Sequence, residues 1–75
     1  MSAVRKRSVT IRGHRTSFSL EQPFHDELVS IAATRGIGLA ALVASVDETR
    51  PRDTNLSSAL RIFVLEQVKA GRSSG

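Results

Sequence analysis

The chain has 75 residues, a formal net charge of +4 and no cysteine. This length allows one small domain, and the lack of cysteine excludes disulfides and thiolate metal sites. With no tryptophan or tyrosine and three phenylalanines, the core must be mainly aliphatic. A chain this small buries little apolar surface on its own, and we therefore expect it to form a homodimer.

The positive charge is concentrated at the N-terminus. Residues 1–22 hold five basic side chains and one acidic one, whereas residues 23–75 hold six of each, so the first 22 residues carry the whole excess. A polyanion is a suitable partner for such a segment, and a solvated basic tail is the alternative. No apolar run approaches the ~20 residues that span a bilayer, and no apolar segment follows Arg7 as in a signal peptide. We therefore expect a soluble, cytoplasmic protein.

The first elements in the chain are extended. Residues 1–7 look disordered, and "SVTIRG" (8–13) alternates weakly, so it either lengthens the following strand or forms a short hairpin turning at Gly13-His14. "HRTSFSLE" (14–21) alternates strongly, which predicts a strand with one buried face (Thr16, Phe18, Leu20) and one polar face (Arg15, Ser17, Ser19). A strand cannot satisfy its own backbone. The simplest symmetric partner is the same strand of a second copy, antiparallel across a two-fold axis.

Two helices are predicted after the strand. The first covers roughly residues 22–35, with Pro23 in its first turn, Gly36 after its end and an apolar stripe of Phe24, Leu28, Ile31 and Ala32. The second covers roughly residues 39–49, with Gly38 as a weak N-cap and a stripe of Leu39, Leu42, Val43 and Val46. Both stripes predict helices that pack one face against a core.

A third helix is predicted over roughly residues 56–69. Asn55 is a plausible N-cap, Gly71 is a plausible stop, and the apolar stripe is Leu56, Leu60, Phe63, Val64 and Val68. Ile62 and Leu65 lie off this stripe. A helix that is apolar on more than one face buries more than one face, so we expect a partner chain against this helix.

The sequence gives little support to an enzyme. His14 and His25 are eleven positions apart, with no cluster of cysteine or histidine around them. Asp47 and Glu48 are adjacent, so on a helix they point in different directions. Ser57 and Ser58 have no histidine nearby in sequence to activate them. We therefore predict no catalytic residue, no metal site and no cofactor.

The order of strand, helix and helix after a basic N-terminus resembles the ribbon-helix-helix repressors of the MetJ/Arc/CopG superfamily. The matching segments are "RTSFSLE" as the ribbon, "FHDELVSIAATRG" as the first helix, the turn "RGIGLAALV", and "LAALVASVD" as the second helix. The blocks "KRSVTIRGHRTSFSLE", "LAALVASVD" and "NLSSALRIFVLE", in that order, resemble a bacterial subgroup with an extra C-terminal helix. This resemblance covers about residues 6–66.

The resemblance implies an intertwined homodimer whose intermolecular two-stranded ribbon lies in the DNA major groove. It places the base contacts at Arg15, Ser17 and Ser19. It implies phosphate contacts at basic residues near the N-terminus and at the start of the second helix, namely Arg5, Lys6, Arg7, Arg12, His14, Gly38, Leu39 and Ala40. The expected dimer core consists of Phe18, Leu20, Phe24, Leu28, Ile31, Leu42, Val43 and Val46.

The expected fold is mostly α with one β-strand per chain, plus a third helix. We divide the chain into a flexible basic arm (1–13), a ribbon-helix-helix core (14–50), a linker (51–55) and a C-terminal helix (56–70) that packs on the dimer or forms an oligomer interface. The expected function is sequence-specific binding of double-stranded DNA by a transcriptional regulator, a repressor. The alternative is an antitoxin-like or accessory module that binds a protein through the C-terminal helix and binds DNA weakly.

Overall fold

The computed structural model describes the backbone of residues 3–74 and the side chains of residues 3–71. Its elements, in chain order, are two strands and three helices: β1 (Val4–Ile11), β2 (His14–Glu21), α1 (Gln22–Arg35), α2 (Leu39–Thr49) and α3 (Leu56–Ser74). The two strands form one antiparallel sheet. The fold is therefore a two-stranded ribbon followed by three helices.

The ribbon is a hairpin within one chain. Arg12 and Gly13 occupy the turn with φ values of 50° and 79°, as a tight two-residue hairpin turn requires. β1 pairs with β2 along its full length, from Val4 opposite Glu21 to Ile11 opposite His14. The expectation of a flexible arm over residues 1–13 is therefore wrong for residues 4–11. Residues 1 and 2 of this arm lie outside the described range.

This hairpin also corrects the expected pairing of β2. We expected its partner strand to come from a second copy, but β1 of the same chain takes that place. The physical reason is proximity, since the two-residue turn closes a local loop at little entropic cost. The ribbon of one chain therefore forms without a second copy, and the intertwined dimer stays a prediction.

The second edge of β2 is partly occupied by α3. The backbone N–H of Ser19 donates to Ser57 Oγ at 2.9 Å, and Arg61 Nη2 donates to the Ser19 carbonyl at 3.4 Å. Alternate residues of an antiparallel strand direct their backbone groups to the same edge, so Arg15 and Ser17 share this edge with Ser19. The first turns of α3 thus cover one end of the edge that a further strand would need.

The helix ends follow the sequence signals closely. Gly36 adopts a left-handed conformation, and hydrogen bonds from Gly36 N to Ala33 O and from Ile37 N to Ala32 O close α1. Asn55 Oδ1 accepts the Ser58 N–H at 2.8 Å and caps α3. The predicted stop at Gly71 is wrong, because this glycine stays helical and α3 continues to Ser74.

The core lies between the hairpin and the three helices, with α2 against β1 and α3 against β2. Six of the eight predicted core residues are buried, and Phe24 and Ile31 are partly buried at its margin. β1 and α3 complete the core with Ile11, Leu56, Ala59, Leu60 and Val64. This burial occurs within one chain, and a role of these residues in a dimer stays a prediction.

Within the described residues, no single helix is long and apolar enough to cross a membrane. Only α1 and α2 taken together reach that length and apolarity, and they are bent by 102° relative to each other.

Candidate nucleic-acid interface

The two faces of the hairpin differ completely in character. The pairing register assigns Phe18 and Leu20 to the face that meets the helices, together with Val9 and Thr16, which lie opposite each other. The expected parity of β2 is therefore confirmed: its apolar side chains face the core. The other face of the hairpin, which we call the outer face, is turned away from the helices.

The outer face consists of three cross-strand pairs of polar residues and, at one end, Val4 opposite Glu21. Lys6 lies opposite Ser19, Ser8 opposite Ser17, and Thr10 opposite Arg15. The Ser19 N–H points away from β1 to Ser57, so these pairs belong to the class without mutual hydrogen bonds, whose Cα atoms are closest, at ~4.5 Å. The face therefore presents a dense array of hydroxyl and cationic groups.

The cations of the outer face have no acidic partner. Neither Lys6 nor Arg15 forms an ion pair within residues 3–71, and both side chains are exposed. Two basic side chains outside this face, by contrast, form close ion pairs: Arg61 with Glu21 at 2.9 Å and Arg50 with Asp47 at 2.7 Å. The uncompensated charge of the described strands is thus available to an anionic partner.

The other basic residues predicted as phosphate contacts are placed less uniformly. Arg5 is exposed, although the register assigns it to the helix-facing side. Arg12 is at the hairpin turn, 3.7 Å from Glu48 in an ion pair whose two side chains are 57% and 65% exposed. His14 follows the turn and is exposed. Arg7 is half-buried on the helix-facing side, where its Nη2 donates to Gln22 Oε1 at 3.0 Å.

The start of α2 lies away from the hairpin turn. Gly38 is its N-cap without a side-chain hydrogen bond, so the first N–H groups of the helix have no partner inside it. The opposite end of α2 meets the turn, since Asp47 and Arg50 line one depression with His14 and Arg15. An 11-residue helix is ~16 Å long, which separates the two ends by that distance. The predicted clamp at Gly38, Leu39 and Ala40 is therefore not brought next to the turn.

Two titratable groups have shifted pKa values. The hydrogen-bonded Arg61 guanidinium lowers the pKa of Glu21, which favours the ion pair between β2 and α3. Burial, and then the nearby charge of Arg7, lower the pKa of His25. Both shifts belong to contacts that hold the hairpin on the helices.

Two outer-face residues were missed by sequence reasoning. The weak alternation of residues 8–13 identifies Ser8 and Thr10 only as polar positions, whereas the pairing register sets them beside Ser17 and Arg15. The signal that identifies them is the turn pair Arg12-Gly13, because a two-residue turn fixes which residues of the two strands face each other. Among residues 3–71, no group of three or more acidic or histidine side chains is arranged to hold a metal ion.

The chain matches the model of the ribbon-helix-helix domain family over residues 4–68. No curated protein and no solved structure gave a significant match to the chain. The family match begins at the first residue of β1 and ends within α3, so it includes the hairpin, α1 and α2. The match covers most of the sequence and agrees with the order of elements, and the chain therefore belongs to the ribbon-helix-helix family of DNA-binding proteins.

Proposed function

We propose that the protein is a transcriptional regulator, a repressor, which binds a specific double-stranded DNA sequence by laying the outer face of its hairpin in the major groove. The observation that carries this proposal is the outer face itself, where a paired two-stranded ribbon presents four hydroxyl side chains and two cations that form no ion pair within residues 3–71. A major groove ~12 Å wide admits a two-stranded ribbon and presents a distinct hydrogen-bonding pattern for each base pair. Membership of the ribbon-helix-helix family supports the same function.

We assign the base contacts of β2 to Arg15, Ser17 and Ser19. Arginine binds the O6 and N7 atoms of guanine with two hydrogen bonds, and serine donates to or accepts from several bases. Arg15 and Ser17 are exposed and Ser19 is half-buried beside the start of α3. In this arrangement Arg15 provides most of the discrimination, and the two serines adjust it.

We assign phosphate contacts to the exposed side chains of Arg5, Lys6, Arg12 and His14 on the hairpin, and to the backbone at Gly38, Leu39 and Ala40 at the end of α2 that lies away from the turn. The unpaired N–H groups at the start of α2 suit an anion, because the helix dipole is positive there. Arg7 is left out of this set, because its guanidinium already donates to Gln22 on the opposite side of the hairpin. These contacts give affinity that depends on salt and carry no sequence information.

Self-association is the second part of the proposal. Ile62 and Leu65 are three positions apart on α3, so they share one face, and they are 53% and 55% exposed. We propose that this face binds a second copy of the chain. Both hairpins then remain free to bind DNA, and we place the protein in the cytoplasm. A molar mass of two chains in solution is the expected result, and a single chain at micromolar concentration would contradict it.

The same exposed pair, Ile62 and Leu65, favours the second candidate function, a module that binds another protein through α3. Purification of the full chain from its native cells separates the two functions. If a protein partner co-purifies in stoichiometric amount and the chain prefers no duplex at low salt, the function is protein binding through α3 and not transcriptional regulation.

The deciding experiment is a selection from a pool of random duplexes, followed by titration of the enriched sequence. We expect Arg15→Ala to weaken binding to that sequence by about 1–3 kcal/mol and binding to random duplexes much less. The matched control is Arg52→Ala, which removes the same charge from an exposed position between α2 and α3. If Arg15→Ala lowers the affinity for specific and random duplexes equally, Arg15 contacts phosphate and does not contact a base.

A further inference from the structure

The two strands of the hairpin carry the same short pattern on the outer face. Read from N to C, β1 presents Lys6, Ser8 and Thr10 after Val4, and β2 presents Arg15, Ser17 and Ser19 before Glu21. Each strand therefore gives a cation, then a serine, then a second hydroxyl, at every other position. The helix-facing positions of the same strands show no such repeat, since β1 has Arg7 and Val9 where β2 has Thr16 and Phe18.

The antiparallel register converts this repeat into an approximate two-fold symmetry. Lys6 lies opposite Ser19 at one end of the repeated pattern and Arg15 lies opposite Thr10 at the other, with Ser8 and Ser17 paired in the middle and the pair Val4–Glu21 outside it. An axis through the Ser8–Ser17 pair exchanges the two cations and exchanges the two outer hydroxyls. Two-fold symmetry in a DNA-binding surface corresponds to an inverted repeat in the DNA that it reads.

We propose that the hairpin of a single chain reads an inverted repeat, with Lys6 and Arg15 each contacting a guanine in one half. This inference rests on the proposed function and extends it, because it makes Lys6 a base contact where we had assigned it to phosphate. Lysine, like arginine, recognises the O6 and N7 atoms of guanine. Ser8 and Ser17 then face the centre of the site.

The structure favours Lys6 over its basic neighbours for this role. Lys6 is exposed on the outer face and has no ion-pair partner within the described residues, whereas the register assigns Arg5 and Arg7 to the helix-facing side. The spacing of the two cations follows from strand geometry. Lys6 and Arg15 are four residues apart along the ribbon, or ~13 Å, which corresponds to about four base pairs at ~3.4 Å each.

The contact of α3 with β2 supports reading by a single hairpin. Ser57 and Arg61 occupy the edge of β2 at Ser19, where an additional strand would pair. A ribbon that stays two strands wide retains the width that the major groove admits. The repeat in the DNA then reflects the symmetry inside one chain and needs no second ribbon.

The test compares the full chain with three variants on short duplexes, each long enough for one ribbon, taken from the selected sequence. The duplexes are the intact site, a site with the guanine of one half replaced, and a site with both replaced. For the unaltered chain, each replacement should lower affinity by about 5- to 150-fold, the equivalent of ~1–3 kcal/mol per well-placed pair. Thermal unfolding followed by circular dichroism verifies that each variant is folded.

Lys6→Ala should bind the intact and the half-replaced site with nearly equal affinity. The variant can bind the half-replaced duplex in the orientation that places Arg15 on the remaining guanine. The intact site keeps only the statistical advantage of two such orientations. Arg15→Ala should show the same loss of discrimination. Arg5→Ala is the matched control, and it should keep the discrimination of the unaltered chain at a uniformly lower affinity.

Three outcomes overturn the inference. If Lys6→Ala lowers affinity for all three duplexes by one factor, Lys6 contacts phosphate and the proposed function stands. If Arg15→Ala abolishes discrimination in both halves while Lys6→Ala changes neither, the reading ribbon comes from two copies. If the unaltered chain distinguishes none of the duplexes, the proposed function fails as well.

Discussion

The two faces of the hairpin are built from the same strands but differ in burial and polarity. On the helix-facing side Ile11, Phe18 and Leu20 are buried, with Leu20 completely inaccessible to solvent. On the outer face no described residue is buried, and every cross-strand pair from Lys6–Ser19 to Thr10–Arg15 is polar. The difference shows how a small chain separates the side chains that form its core from those that are available to a partner: the alternation of a strand lets each face change without the other.

The strongest test of this separation is Phe18→Ser. Phe18 is 3% exposed in the centre of the core, and replacing a buried phenylalanine by a small residue costs about 3–5 kcal/mol. A serine there also buries a hydroxyl, which adds to the loss. We expect the chain to be largely unfolded at 25 °C, as followed by circular dichroism and urea denaturation.

The control for that substitution is the neighbouring residue on the other face. Ser17→Ala should change the free energy of unfolding by less than about 0.5 kcal/mol, because Ser17 is exposed. A folded Phe18→Ser variant, or a strongly destabilised Ser17→Ala variant, would mean that the assignment of the two faces is reversed.

A smaller effect is expected at the edge of β2. Ser57→Ala removes the acceptor of the Ser19 N–H and should cost about 0.5–1.5 kcal/mol in urea denaturation. The adjacent Ser58→Ala is the matched control, because Ser58 takes part in the Asn55 cap through its backbone N–H, which alanine keeps. Equal stability of the two variants would show that α3 does not hold this edge in solution.

The helices were predictable because their signals are local. Pro23 at the start of α1, the left-handed Gly36 after it and the Asn55 cap of α3 each act within one turn of the chain. Gly71 shows the limit of such reasoning. A glycine ends a helix only where the chain adopts the left-handed conformation, and this one does not.

β1 could not be predicted with the same ease. Arg5, Lys6 and Arg7 are consecutive cations without alternation, and a strand at the edge of a sheet tolerates such charges. What makes them a strand is the pairing with β2, which the sequence signals only through the turn at Arg12-Gly13. For the candidate site, the polar parity of β2 was therefore accessible from sequence, whereas the contribution of β1 depended on a register that only the fold defines.

The smallest effect concerns the only histidine beneath the helix-facing side in the described part of the chain. His25 Nδ1 and Arg7 Nε are enclosed there without hydrogen-bond partners within the described residues. Burial first, and then the charge of Arg7, lower the pKa of His25, while Asp26 opposes the shift. A histidine whose pKa is lower in the folded state binds its proton more tightly in the unfolded state. The free energy of unfolding should therefore be highest above pH 6.5, the usual pKa, and should fall as the pH decreases from there through the lowered value.

His25→Gln should flatten this fall in urea denaturation measured between about pH 7.5 and pH 5, whereas His14→Gln, at the exposed turn, should retain it. The acid loss of the Glu21–Arg61 pair begins only below the usual carboxyl pKa of 4.5, so it does not overlap with this window. If the free energy of unfolding falls equally in both variants, protonation of His25 is not the cause of the loss of stability in mild acid.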